Sequence, residues 1–369
     1  MTACAGQVAA HLRGSVLNTM QPGAKLASVR KLALDLGVSV PTVRAAQAIL
    51  TREGLLVVRH GSGAYAVANR DLPRWVGIYT ALDILHPRTS AFYTLMPRAL
   101  RRFLNSHGLH AEIYLGDAQP GDQEESPSNL RFRADVTEGR IQGVVVANAP
   151  TTRGWANWIA NLQIPVVGSL SPYLVDPSYD AMVRQAVQCL YNGGRRRIAL
   201  LSWSRNELQK PLREALTGLG LEYHPEWSRS DLHPMLSGAG WEQFREIWAA
   251  SREKPDGLVV ADDVLFDEAQ IAIQEMGIRV PDQLQIVAYA NKGSIKRYPF
   301  PVNLAQCDPE RFAEVLGGML LKRMRGEAVI PATELVPVDI VKMVQTNFPV
   351  HASGRSAGVM KPRKVEVKH

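Results

Sequence analysis

The chain has 369 residues, 46% hydrophobic and 21% charged, a composition that suits about two or three ordinary folded domains and excludes a wholly disordered or fibrous protein. Its net charge of +7 is uneven: residues 1–74 hold nine Lys and Arg against three Asp and Glu, residues 345–369 hold five against one, and the stretch between is slightly acidic. Cys4, Cys189 and Cys307 are isolated, so neither a disulfide framework nor a zinc site is expected, and a reducing, cytoplasmic setting fits. The sequence shows no leader pattern and no apolar run of about eighteen residues, so no membrane attachment is expected.

Residues 5–20 read as a first helix, ended by Gln21-Pro22-Gly23. Val29, Leu32, Ala33 and Leu36 then recur at helical spacing until Gly37 stops them, and Ser39 offers an N-cap oxygen to a further helix with Pro41 and Thr42 in its first turn. That helix is expected over 40–52, with Val43, Ala46, Ile49 and Leu50 inward. Ser39, Thr42 and Arg44 are then left near its exposed N-terminal end, where a recognition helix meets the major groove. Gly54 ends it. The β-rich stretches 55–59 and 64–67 flank the tight turn His60-Gly61-Ser62-Gly63, a hairpin able to lay backbone N–H groups on a phosphate.

Through KLASVRKLALDLGVSVPTVR and GLLVVRHGSGAYAV, this stretch resembles the winged helix-turn-helix domain of GntR-type bacterial regulators. The resemblance implies a double-stranded DNA operator as partner, with Ser28, Arg30, Ser39, Thr42, Arg44, His60, Gly61 and Ser62 as the candidate contact set. Two positions depart from the family pattern: Ala27 stands where Pro is usual, and Val40 stands where Arg is frequent, which removes one expected base contact. The winged domain is expected over 1–68, with a linker over 69–74.

From Trp75 strands and helices alternate. Strands are expected at 76–80, 111–115, 143–147 and 165–168, with helices at 92–105, before 138 and at 155–162. A second set follows, with strands at 197–202, 257–261, 284–289 and 303–306, helices at 179–191, 208–216, 241–251, 266–276 and 309–325, and a last strand at 335–341. Such alternation means parallel sheets covered on both faces. The body, 75–345, resembles the effector-binding core of LacI-type regulators, itself similar to periplasmic sugar-binding proteins, through GGRRRIALL, DGLVVADDVLFDEAQIAIQEMGIRVPDQLQIVAY and RIQGVVVANA with IPVVG. The fold class is therefore α/β, a winged helix-turn-helix plus a two-lobe periplasmic-binding-protein-like domain. Lobe 1 is expected over about 75–172 and 302–326, lobe 2 over about 173–300 and 332–345, with a disordered basic tail at 346–369.

Ligands of open α/β sheets sit beyond the carboxyl ends of the strands. Those ends supply a mixed aromatic and hydrogen-bonding set suited to a polyhydroxylated ligand: Tyr79, Phe92, Tyr93, Trp203, Asp263, Tyr289 and Asn291 are the candidate effector residues, with Asp83, Ser90, Asn148, Ser169, Ser171, Ser204 and Asp262 nearby. Here too the chain departs from its relatives: Ala290 replaces an Asp, Leu208 stands near a usual Arg, and Asp262 replaces an Asn. Gln209 or Lys210 is the candidate substitute for that Arg.

The sequence holds no Walker-type loop, HExxH, GxSxG elbow or metal spacing. The aminotransferase-like body of some GntR-type chains would need greater length and a Schiff-base lysine motif. No enzymatic activity and no cofactor are implied. The reading is a homodimeric regulator, acting as a repressor by family resemblance, whose operator affinity responds to a sugar-like effector; the alternative is a constitutive DNA-binding dimer with a degenerate sensor.

Overall fold

The computed structural model describes residues 5–20, 23–52, 55–59, 61–66, 74–119, 122–203, 208–250, 252–330 and 332–344. The expected basic tail, His60, Ser204 and all of the expected linker except Arg74 lie outside them.

The N-terminal unit holds α1 (Ala5–Thr19), α2 (Val29–Asp35), α3 (Val40–Arg52), β1 (Leu56–Arg59) and β2 (Gly63–Ala66). Ser28 caps α2 by accepting from the Lys31 N–H at 3.2 Å, and Ser39 accepts from Thr42 N–H at 3.2 Å at the start of α3. Val43, Ala46 and Leu50 are fully buried, as the spacing requires, and Ala46 and Leu50 share a core with Val8, Ala9 and Leu12 of α1. β1 and β2 form an antiparallel hairpin, and Lys25 bridges to Tyr65, so the chain ahead of α2 adds a short third strand.

The body opens with β3 (Arg74–Leu82), α4 (Phe92–Ser106), β4 (Leu109–Ala118), α5 (Leu130–Thr137), β5 (Gly143–Asn148), α6 (Arg153–Ala160) and β6 (Val166–Gly168). Their sheet runs β4-β3-β5-β6, all parallel. After β7 (Leu174–Pro177) come α7 (Tyr179–Asn192), β8 (Ile198–Leu201), α8 (Gln209–Gly218), β9 (Ser228–Arg229), α9 (Ala239–Ala249), β10 (Gly257–Val260), α10 (Asp263–Glu275), β11 (Gln285–Asn291) and β12 (Val302–Cys307). Then follow α11 (Pro309–Met324), β13 (Thr333–Val336) and β14 (Asp339–Val344). The second sheet runs β14-β12-β11-β10-β8-β9, parallel except for β14. Continuous apolar runs such as Ile198–Leu201 and Gly257–Val260 are buried at every residue, which is what a strand covered by helices on both faces needs.

One lobe expectation needs correction. Residues 302–307 pair with β11 and β14 in the second sheet, so they belong to lobe 2; only α11, packed on α4 through Phe312, Leu316 and Leu320, returns to lobe 1. Between the lobes β7 and β13 pair in parallel, an unexpected ribbon, because Pro337 divides the single strand expected at 335–341. Residues 168–178, 307–309 and 336–339 thus carry the chain between the two lobes. Among the described residues no helix is long and apolar enough to cross a membrane.

Candidate functional site

Two surfaces carry the candidate residues. On the N-terminal unit, Ser28, Arg30, Ser39, Arg44, Gly61 and Ser62 are all exposed and Thr42 is half-buried. Ser39 and Thr42 share a hydroxyl contact of 2.7 Å, so their polar groups sit together at the start of α3 while Arg44 stands free one residue past Val43. Ser28 spends its oxygen on the α2 cap, as described. At the hairpin tip Gly61 and Gly63 have φ of +73° and +122°, a backbone that excludes most side chains, and the Ser62 N–H closes the turn on Arg59 O at 3.0 Å. The sequence reading missed Lys25, Lys31 and Arg59, which are exposed on the same unit. Arg59 lies 4.9 Å over the Tyr65 ring, which stiffens a cation at the wing; basic residues beside a glycine turn were the available signal.

The second surface is a cavity of about 720 Å³ between the two lobes, within the usual size of a small-molecule site. Phe92, Tyr93, Trp203 and Tyr289 line it, as expected from the strand ends, and so do Ser90, Asn148, Ser169 and Asp262. The Asn148 amide accepts from the Leu82 N–H through Oδ1 at 2.9 Å, while its Nδ2 has no protein partner among the described residues and lies on the cavity wall.

Three candidates lie elsewhere. Tyr79 is fully buried on the other face of the first sheet, stacked on Phe132 at 4.7 Å, with its hydroxyl accepting from Ser128 N–H at 3.2 Å. Asp263 and Asn291 sit behind the wall: Asn291 Nδ2 donates to Asp263 Oδ2 at 3.2 Å and to Ser90 Oγ at 3.3 Å, and its Oδ1 accepts from the Tyr289 hydroxyl at 3.1 Å. Asp263 is paired at 3.2 Å with Lys296, which also bonds Asp267 at 2.6 Å. These two residues therefore position Tyr289 and Ser90 and do not themselves face the cavity. Ser171 is buried with its hydroxyl on Val166 O, and Asp83 accepts from Leu85 N–H in a turn. Neither Gln209 nor Lys210 lines the cavity, and Ala290 points into the core of lobe 2, so the expected replacement for the missing Arg is not there.

Asp262 both caps a helix and lines the cavity. Its Oδ1 accepts from Val264 and Leu265 N–H at 2.8 and 2.9 Å, starting α10, while its carboxyl also reaches the wall. Burial, aided by the neighbouring Asp263, pushes its pKa up to about 7. Burial also raises Tyr93 to about 12 and carries Tyr179 and Tyr289 well above their usual value. Sequence reasoning missed Arg88, Asp122 and His233 of loops, Asp176 of the lobe-crossing β7, and Tyr179 and Phe312 in the first turns of α7 and α11, none of which a strand-end rule reaches. Arg88 crosses the cleft to Glu268 of α10 at 2.8 Å.

Residues 4–66 match the family profile described as bacterial regulatory proteins, gntR family, and residues 187–342 match that of a periplasmic binding protein-like domain. The chain joins a gntR-family DNA-binding domain to a periplasmic-binding-protein-like domain of the LacI type. Similar proteins include the HTH-type transcriptional repressor PurR of Erwinia tasmaniensis, 27% identical over 30% of this chain and 32% of that protein. The lactose operon repressor of Escherichia coli is 27% identical over 47% of this chain and 48% of its own length. The chain thus spans about a third and about half of these two. The Escherichia coli regulator GntR is 27% identical over 68% of this chain and 76% of itself. Among solved structures, a transcriptional regulator CelR–cellobiose complex aligns with a TM-score of 0.62 at 18% identity, over 86% of this chain and 99% of that one. The lac repressor dimer bound to operator and the anti-inducer ONPF aligns at 0.60 and 19% identity, over 74% and 94%. At these identities the structures establish the fold alone.

Proposed function

We propose that the protein is a DNA-binding transcription regulator of the repressor type, working in the cytoplasm as a homodimer, whose operator affinity is set by a sugar or sugar derivative bound between the lobes. The observation that carries the sensing half is the cavity itself. Phe92, Tyr93, Trp203 and Tyr289 line an open volume of about 720 Å³ rather than filling it, which favours a working sensor over a degenerate one. Relatives whose names specify cellobiose or a lactose operon add weight to the sugar class.

The winged domain follows the physics of groove reading: a capped helix with polar residues at its N-terminal end and a glycine turn at the tip of the adjoining hairpin. Two copies double the few base contacts one unit makes, which is why a dimer on a pseudo-palindromic site is expected. The expected domain limits are 1–68 for the reader and 75–345 for the sensor, the second lobe now including 302–307. A ligand that prefers one arrangement of the lobes shifts DNA affinity by no more than its differential affinity for the two states.

The test is selection of bound duplexes from a randomised pool, followed by titration of the enriched duplex with mono- and disaccharides. A two-fold symmetric enriched site whose occupancy one saccharide class changes supports the reading. A symmetric site insensitive to every sugar leaves the constitutive alternative, and no enrichment removes the regulator altogether.

A further inference from the structure

The cleft has a charge pattern that a generic sugar site does not need. Among the described residues its wall carries three carboxylates, Asp122, Asp176 and Asp262, against a single guanidinium, Arg88, which is ion-paired with Glu268 at 2.8 Å. His233 is the other basic group on the wall, and burial lowers its pKa, which keeps it neutral at pH 7. Behind the wall, Asp263 and Asp267 share one lysine, Lys296, and Asp263 Oδ1 is buried without a hydrogen-bond partner among the described residues. Among the described residues, an anionic ligand entering here would meet no uncommitted cation.

Aromatic rings gather around Asp262. Tyr93, Tyr179, Tyr289 and Asp262 all line the cleft; Tyr179 and Tyr289 lie 5.8 Å apart, and Phe92 meets Tyr93 edge-on at 5.6 Å. Asp262 and Asp263 both act electrostatically on Tyr93, and Tyr93 and Asp262 both act on Tyr179, so the four groups share one neighbourhood. Ring faces are negative and attract cations, most strongly where water is excluded. Both cap bonds of Asp262 fall on Oδ1, which leaves Oδ2 to meet a ligand.

We propose that the effector carries a cationic nitrogen, an ammonium or a protonated ring nitrogen, which seats against Asp262 among the Tyr93, Tyr179 and Tyr289 rings. This rests on the reading of the cleft as the effector site and names the chemistry of its occupant: an amino-bearing sugar, or another amine of similar bulk. Because Asp262 holds its proton up to about pH 7 in the empty cleft, seating a cation there expels that proton. The phenols of Tyr93, Tyr179 and Tyr289, the Cys307 thiol beside Tyr289 and the Asp263–Lys296–Asp267 cluster surround the seat.

The experiment is calorimetry on the full chain with three matched disaccharides: cellobiose, its fully deacetylated diamino counterpart chitobiose amine, and the acid cellobionate, with spermidine as a non-sugar amine. Titrations near pH 6.5 use two buffers of different ionisation enthalpy. The expected result is at least tenfold tighter binding of an amine than of cellobiose or cellobionate, with an apparent enthalpy that differs between the buffers, the mark of proton release. In Asp262→Asn, which keeps the oxygen that caps α10, both the preference and the proton release disappear while thermal unfolding stays cooperative. Binding of cellobiose or cellobionate at least as tight as the amines leaves the effector cleft standing and overturns the cationic assignment. So does an amine preference that survives Asp262→Asn. Silence from all four probes overturns it together with the cleft reading.

Discussion

Arg88 of the first lobe and Glu268 of the second meet across the cleft at 2.8 Å, and the Arg88 guanidinium also reaches the Leu236 carbonyl at 3.4 Å. Both side chains are largely screened from water, at 26% and 20% exposure, so the pair exceeds the worth of a surface ion pair. It ties lobe 1 to α10, whose N-terminal turn holds Asp262 and Asp263.

Replacing Arg88 by Ala therefore loosens the closed arrangement. We expect a loss of about 1 kcal/mol from that state, read as an increased radius of gyration in small-angle scattering and up to about fivefold weaker binding of any cleft ligand. Unchanged dimensions and affinity in Arg88→Ala would mean that the ion pair only decorates the mouth of the cleft.

A second contact ties the DNA-binding domain to the sensor. Gly139, just past α5, has a φ of +70°, and a Cβ there would stand 2.7 Å from Ala10 Cβ and 2.9 Å from Ala10 Cα, with Arg13 closer still. Gly108, on the same lobe at φ +77°, has open space around it. Gly108→Ala should therefore cost only the backbone strain, about 1 kcal/mol in thermal unfolding of the body. Gly139→Ala should cost that and also push α1 off the lobe, seen as faster amide exchange in α1. Equal exchange in the two variants would show that the α1 contact carries no coupling.

Most of the architecture was legible because the strands are continuous apolar runs and the helices announce their caps: Ser28, Ser39, Asn129, Thr152 and Asp308 all stand at helix starts. The ribbon of β7 and β13 was not, since Leu-Val-Asp-Pro carries no periodicity and its partner lies more than a hundred residues away. Within the site, strand ends identified Phe92, Tyr93, Trp203 and Tyr289, but strand alternation put Tyr79 on the opposite face, against Phe132 and Trp155. Choosing between Asp262 and Asp263 needs the exact start of α10, which decides the carboxyl that turns to the cleft. Arg88, His233 and Asp176 come from loops whose path only the tertiary fold sets.

Asp262 also leaves a signature in stability. Its pKa rises from the ordinary 3.8 to about 7 on folding, so the folded state holds a proton that the unfolded chain releases. The stabilisation from that proton is complete below about pH 4 and is lost as pH climbs through about 7. At roughly 1.4 kcal/mol per pH unit the loss amounts to a few kcal/mol. Thermal unfolding of the wild type should fall over this window, whereas Asp262→Asn should fall less and be the more stable protein at pH 8. Parallel curves for the two proteins would rule out a proton held at Asp262.

On the DNA side, Arg44 is the exposed cation on α3 beyond the Ser39–Thr42 cap, whereas Arg59 sits at the hairpin over Tyr65. The two positions should fail differently. Arg44→Ala is expected to cost about 1–3 kcal/mol on the selected operator and to relax preference at one base position in each half-site, the behaviour of a groove contact. Arg59→Ala is expected to weaken all duplexes alike and to lower the dependence of log affinity on log salt by about one unit per site, the behaviour of a phosphate contact. Binding titrations at several salt concentrations, on the selected duplex and on a scrambled one, separate the two. If Arg44→Ala binds both duplexes as the wild type does, α3 does not read the groove, and the recognition surface has to be sought on the face that carries Arg30 and Lys31.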